Sequence, residues 1–211
     1  MKLLKTATSA LLVLSFSACA PKIYKSENFE ASKETVKTMA VLPFNVTINN
    51  RKLPKGTTQE MLRENEQKTG YAIQDKAYSW LLQRNKNYTV TFQDIDRTNA
   101  LLKAANISYN DLTQQDKGEL CKILKVDGIL SGKATLSKPM SEGAAVALGL
   151  LVGAWGSTNQ TVTTLTIHDV SSSLLWKYDY EAEGSVGSSP SNLANALMRN
   201  ASKKFPYKEA K

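Results

Sequence analysis

The side chains able to do acid–base chemistry are few, because the sequence contains a single histidine, His168. The surrounding stretch, TVTTLTIHDV, alternates apolar and polar residues, so successive side chains point to opposite faces of a strand. Asp169 is therefore badly placed to orient the imidazole of His168, and no other metal-ligating residue stands at ligand spacing from it. The pattern favours a solvent-facing strand histidine over a catalytic one.

The segment GILSGKAT invites comparison with a phosphate-binding loop. That motif needs a longer spacing between its glycines and a Ser or Thr after its lysine. Here three residues separate Gly128 from Gly132, and Ala134 follows Lys133. The segment also has a strand pattern, so a phosphate loop is excluded. We expect no catalytic residue, no metal and no cofactor, and the protein is not expected to be an enzyme.

The two cysteines have different surroundings. Cys121 lies in ELCKIL, which has the pattern of an amphipathic helix. A small buried hydrophobic role is favoured there over a redox role. With Cys19 modified as argued next, no intramolecular disulfide can form.

Cys19 stands at the end of a segment with the order positive, apolar, small. Residues 1–5 carry two lysines, residues 6–18 carry no charge, and small residues precede Cys19. This order predicts a secretory signal peptide over residues 1–18. Its apolar part is shorter than the ~20 residues that a transmembrane helix needs.

The sequence FSAC at residues 16–19 resembles a bacterial lipobox. The resemblance implies that the Cys19 thiol takes a diacylglycerol and that the amine freed by cleavage takes a further acyl chain such as palmitate. One acyl chain anchors a protein only marginally, whereas two or three anchor it stably. Ala20 favours the outer membrane, facing the periplasm. The alternative is a soluble secreted protein with a chance cysteine at the cleavage site.

The chain has 211 residues, with 27 basic and 19 acidic side chains and a net charge of +8. The lysines are scattered, without the arginine-rich or aromatic-interleaved block that nucleic acid binding needs. No nucleic acid partner is expected. The excess charge gives solubility and some attraction to anionic lipid head groups or cell-wall polymers.

The periodicities predict an α/β (α+β) domain over residues 39–207, a small mixed sheet with helices packed on it. Residues 19–38 are polar and aperiodic, and they predict a lipidated N-terminus and a tether reaching on the order of 60 Å. Thr57 is predicted to cap one helix and Thr113 another. The other predicted elements are strands in MAVLPF, YTVTFQD, VDGILSGKATLS, TVTTLTIHDV and LLWKYDYEA, and a last helix starting at Pro190 with Leu193, Leu197, Ala201 and Phe205 on one face.

This series of segments resembles the domain shared by curli-secretion channel lipoproteins, the amino-terminal domain of TolB and periplasmic activators of penicillin-binding proteins. The resemblance covers most of residues 39–205 and implies an anticodon-binding-like fold. The sequence departs from the family pattern at Ser172 and Ser173, where the usual turn carries Thr-Gly.

An apolar insert, residues 141–159, interrupts the predicted sheet. Residues 143–156 carry no charge, and as a helix they would be too short to cross a ~30 Å hydrocarbon core. Three alternatives remain open: packing on the domain itself, contact with the membrane interface or a partner, and a membrane-inserting β segment. The residues predicted to make membrane or partner contacts are Leu148, Leu150, Leu151, Val152 and Trp155.

The sequence thus predicts an outer-membrane-anchored periplasmic lipoprotein that acts as a binding or assembly module. Its expected partners are the bilayer, through acylated Cys19, and an envelope protein or a second copy of itself. The alternative function is an oligomeric secretion or pore subunit related to the curli-secretion lipoproteins.

Overall fold

The computed structural model describes residues 21–50, 56–138, 160–183 and 190–209. The strands in these ranges are β1 Lys22–Lys25, β2 Thr38–Val41, β3 Asn45–Asn50, β4 Thr91–Phe92, β5 Gly128–Lys138, β6 Gln160–Asp169 and β7 Leu174–Glu183. The α-helices are α1 Phe29–Thr35, α2 Gln59–Leu82, α3 Ile95–Ala104, α4 Lys117–Leu124 and α5 Pro190–Lys204. Short 3-10 turns cover Asn85–Asn87 and Tyr109–Asp111.

The strands form one sheet in the order β1-β7-β6-β5-β2-β4. β1, β7, β6 and β5 are mutually antiparallel neighbours, whereas β2 pairs in parallel with both β5 and β4. The long strand β5 pairs first with β2 and then, further along, with β3, also in parallel. The predicted mixed sheet with packed helices is therefore confirmed.

Helices pack on both faces of the sheet. On the first face, α2 and α5 cover the larger core, which includes Val41, Leu130, Ile167 and Trp176. On the second face, α3 and α4 cover a smaller core around Leu42. The strand residues of this core alternate along the chain with those of the larger core. β2 is buried on both faces, which explains its continuous apolar run.

The helix starts differ from the predicted ones by small shifts. Thr58 rather than Thr57 caps α2, and its side chain accepts a 3.2 Å hydrogen bond from the Met61 N–H. Asp116 rather than Thr113 caps α4, because the preceding residues turn back through the 3-10 turn instead of continuing into the helix. Among the described residues, no helix is both long enough and apolar enough to cross a membrane.

The two clearest period-two patterns of the sequence are confirmed as the antiparallel pair β6 and β7. Leu165 and Ile167 are buried, while Thr166 and His168 on the other face are only partly buried. The last helix begins at Pro190, and Leu197, Ala201 and the following Phe205 are buried as predicted. The predicted strand YTVTFQD is reduced to two residues, because the Thr89 N–H bonds instead to the carbonyl of Tyr207.

The structure differs from the predicted tether over residues 22–38. β1 pairs along the edge of β7, and α1 follows it. Phe29 and Val36 are buried, at 0% and 1% exposure, so this segment packs on the domain core. The sequence does not indicate this packing, because all four residues of β1 are exposed and show no apolar alternation. The signal peptide and the apolar insert lie outside the described residues and stay predictions.

Candidate functional site

Polar side chains line the second face of the sheet where α3 and α4 do not cover it. Cross-strand register places Ser131 opposite Thr166, and Thr166 opposite Lys177. Directly opposed residues of antiparallel strands share one face and lie close together. The hydroxyls of Ser131 and Thr166 are 2.9 Å apart. This face therefore carries a row of hydroxyls that ends at an ammonium group.

A second polar row runs beside the first. Lys133 lies opposite Thr164, which lies opposite Asp179. Asp179 accepts a 2.7 Å hydrogen bond from the Thr164 hydroxyl, and it forms an ion pair with Lys177 at 2.8 Å. The charge of Lys177 is thus balanced within the sheet, whereas Lys133 has no ion-pair partner among the described residues.

A cavity of about 470 Å³ opens between this face and the start of α4. Its charged and titratable lining residues are Lys117, Lys133, Lys177 and His168, and no Asp or Glu of the described ranges lines it. Its polar lining residues are Asn45, Thr113, Ser131, Thr164 and Thr166. Its apolar wall comes from Leu42, Pro43, Leu112 and Leu174. Volume and composition fall within the range of small-molecule sites.

The turn between β6 and β7 holds α4 over the cavity. Ser172 adopts a left-handed conformation with φ 62°, a region that non-glycine residues occupy uncommonly. Its hydroxyl accepts a 2.7 Å hydrogen bond from the Gly118 N–H and donates a 2.5 Å bond to Asp116. Two bonds therefore fix the first turn of α4, which carries Lys117, against the end of the hairpin.

Lys117 is half-buried and is held by main-chain oxygens rather than by a carboxylate. Its Nζ donates to the carbonyls of Leu112, at 2.9 Å, and Gln115, at 3.1 Å. Burial lowers the pKa of Lys117, and the neighbouring ammonium of Lys133 lowers it further. Two like charges therefore approach each other across the cavity wall.

His168 is partly buried in the cavity lining, not solvent-facing as its strand pattern predicts. Its Nδ1 is buried and makes no hydrogen bond to any described residue. Burial lowers the pKa of the imidazole, and the charge of Lys117 lowers it further. Asp169 does not orient this ring, because its carboxylate accepts hydrogen bonds from the N–H groups of Ser171 and Ser173 at 2.9 and 3.0 Å.

We expect the imidazole of His168 to titrate below its ordinary pKa of 6.5. The groups that face it are Lys117 and Asp116 from α4, Asp169 from its own strand, and the cavity lysines. Because the unfolded chain binds this proton more readily, the contribution of His168 to stability is fully present above the unfolded pKa and is lost as the pH falls through the lower, folded pKa. As the chain has one histidine, NMR titration gives one imidazole signal. A midpoint equal to that of the urea-unfolded chain would contradict the burial described here.

Cys121 is fully buried in α4, at 0% exposure. Burial raises the pKa of its thiol to about 12. A thiol that stays protonated is a poor nucleophile and metal ligand. The predicted role as a small buried hydrophobic residue agrees with this position.

The other predicted site residues lie outside the described ranges. These are Cys19 and the contact residues Leu148, Leu150, Leu151, Val152 and Trp155. Among the described residues, no group of three or more His, Cys, Asp or Glu side chains is arranged to hold a metal ion. The sequence does not indicate the lysine cluster, because Lys117, Lys133 and Lys177 come from three separate elements, α4, β5 and β7, that meet only in the folded domain.

Comparison with known proteins gives structural likenesses only. No protein-family model matches the chain, and no curated protein matches it. The lipoprotein GNA1162 from Neisseria meningitidis aligns at TM-score 0.46 and 12% identity, over 80% of this chain and 97% of that one. The PelC dodecamer from Paraburkholderia phytofirmans aligns at TM-score 0.42 and 12% identity, over 90% of this chain and 100% of that one.

The LpoB C-terminal domain from Salmonella enterica aligns at TM-score 0.38 and 10% identity, over 74% of this chain and 93% of that one. All three TM-scores are below 0.5. The resemblance to the curli-secretion lipoproteins and the amino-terminal domain of TolB stays a prediction.

Proposed function

We propose that this protein is a lipoprotein of the outer membrane, anchored through Cys19 and facing the periplasm, that works as a binding or assembly module. The binding role is supported mainly by one observation, the cavity beside Lys117. Hydroxyls, ammonium groups and apolar side chains line it, which suits recognition of a ligand. Catalysis has less support, because the one imidazole has no orienting partner and the described cysteine is buried and protonated.

The position of β1 bears on how the anchored domain would lie. Lys22 already pairs with β7, only three residues after Cys19. At ~3.3–3.6 Å per residue, this link spans about 10 Å, not the roughly 60 Å of the predicted tether. β1 exposes Ile23 at 47% and Tyr24 at 50%, between two exposed lysines. Lysines near an anionic bilayer surface contribute about 1 kcal/mol each. An anchored domain would therefore rest against the membrane.

The anchor is tested by mass spectrometry of the N-terminal peptide in the native host. We expect cleavage before Cys19 and the added mass of a diacylglycerol and an acyl chain. A Cys19→Ala variant should leave the membrane fraction, whereas the matched Cys121→Ala variant should remain in it. An intact signal peptide or an unmodified Cys19 would contradict the proposed location at the outer membrane.

The assembly role is tested by a photo-crosslinker placed at Trp155 in living cells. Capture of one defined envelope protein, absent when the crosslinker is placed at exposed Gln67, is the expected result. A closed ring in electron microscopy of detergent-extracted protein, with liposome leakage that depends on residues 143–156, would instead support the pore subunit.

A further inference from the structure

We propose that the cavity lined by Lys117, Lys133 and His168 binds the phosphate group of a small phosphate monoester. This inference deepens the proposed binding role and rests on it, because it names the class of ligand that the site takes. It does not depend on the anchor at Cys19.

The charge arrangement in the cavity is the first argument. Among the residues that the structure describes, three lysines line it and no carboxylate does, and of these lysines only Lys177 forms an ion pair with Asp179. Lys117 and Lys133 have no ion-pair partner among the described residues, and they lie close enough for the charge of Lys133 to lower the pKa of Lys117. Converging like charges are unfavourable in a partly buried site unless an anion binds between them. A phosphate monoester carries nearly two negative charges at neutral pH, which matches these two ammonium groups.

The hydrogen-bonding groups are the second argument. Ser131 and Thr166 form one hydroxyl pair on the cavity floor, and Thr113 adds a hydroxyl at the α4 side. A tetrahedral phosphate has three terminal oxygens that accept hydrogen bonds, so it can use ammonium and hydroxyl donors together. A carboxylate has one charge and fewer acceptor directions, and it would leave one lysine unbalanced.

The size and the apolar wall of the cavity define the rest of the ligand. The volume of about 470 Å³ is much larger than one phosphate group needs. Leu42, Pro43, Leu112 and Leu174 line the remaining wall. This combination suits an organic body esterified to the phosphate, and the source is either a soluble metabolite or the head group of a phosphatidic acid.

The test is isothermal titration of the full chain in detergent with glycerol 3-phosphate, with glycerol as the uncharged matched compound and inorganic phosphate as the minimal one. We expect binding of glycerol 3-phosphate and none of glycerol. Loss of a hydrogen bond to a charged group corresponds to about a tenfold loss of affinity or more. Lys133→Gln should show at least that loss, because Lys133 is exposed and its replacement leaves the fold intact.

The matched control is Lys68→Gln, which removes an exposed charge on α2, away from the cavity. It should leave the affinity unchanged. Equal losses in the two variants would overturn the proposal, because they would show attraction by overall charge only. The NMR signal of His168 gives a second readout, since bound phosphate should raise the pKa of the imidazole and Lys133→Gln should abolish the rise.

Two further arms identify the source of the phosphate. Binding of glycerol 3-phosphate in solution supports a soluble ligand, and binding only to micelles that contain phosphatidic acid, not to phosphatidylcholine micelles, supports a lipid head group. Absence of binding in both arms overturns the proposal. The proposed lipoprotein function fails by different results, namely an unmodified Cys19 or no captured partner.

Discussion

Replacing Gly70 with alanine is expected to lower the free energy of unfolding by about 3 kcal/mol, the upper part of the range for overpacking. Gly70 lies within α2, where the helix contacts the turn between β2 and β3. A Cβ at this position would lie 2.3 Å from the carbonyl oxygen of Phe44 and 2.5 Å from the hydroxyl of Tyr109. Neither atom can move freely, because the Tyr109 hydroxyl donates a 2.6 Å bond to that same carbonyl.

The sign of this effect separates packing from helix propensity. In an exposed helix interior, Gly→Ala stabilises by about 1 kcal/mol. The close approach at Gly70 reverses this, since α2 would have to move away from the sheet and break the 3.2 Å bond from the Phe44 N–H to the Gly70 carbonyl. Equilibrium urea unfolding measures the change, with the exposed Lys68→Ala variant of the same helix as control. A stabilised Gly70→Ala protein would contradict the packing described here.

The sequence predicts best those elements whose burial repeats with a regular period. Leu165 and Ile167 alternate with polar residues in β6, and Leu197 and Ala201 recur at helical spacing in α5. In both cases one face of the element is buried along its length, so the pattern is visible without knowledge of the partner. The mixed sheet class follows from such patterns.

Pairing between distant segments is less visible. β3 and β5 pair in parallel, with residues such as Val46 and Ala134 in register, although α2, α3 and α4 lie between them in the sequence. The candidate site depends on such long-range register, because Lys133 and Lys117 meet only after β5 and α4 have docked. Each lysine alone has the sequence context of an ordinary surface residue, so no local pattern predicts the cavity.

The N-terminal segment shows the same limit for short elements. β1 has four exposed residues, and α1 buries only Phe29 and Ser32. One buried aromatic residue in a polar stretch gives no period, so the sequence favours a tether. In the structure, the Phe29 ring meets the Tyr207 ring edge-on at 5.0 Å, and the Ser32 and Tyr207 hydroxyls lie 3.0 Å apart. The two ends of the described chain therefore pack together.

Phe29→Ala is consequently expected to lower the free energy of unfolding by about 3–5 kcal/mol, the usual cost of removing a fully buried phenylalanine. The phenyl ring is completely buried, and the ammonium of Lys25 lies 4.4 Å from its centroid. Glu27→Ala, at an exposed neighbouring position, should change stability by no more than about 0.5 kcal/mol. Urea unfolding distinguishes the two, and trypsin should cleave after Lys25 and Lys33 much faster in Phe29→Ala. If both variants unfold at the same midpoint, residues 22–38 do not pack on the domain. An anchored protein would then stand away from the bilayer on a long tether, and the lysines of β1 would have no contact with lipid.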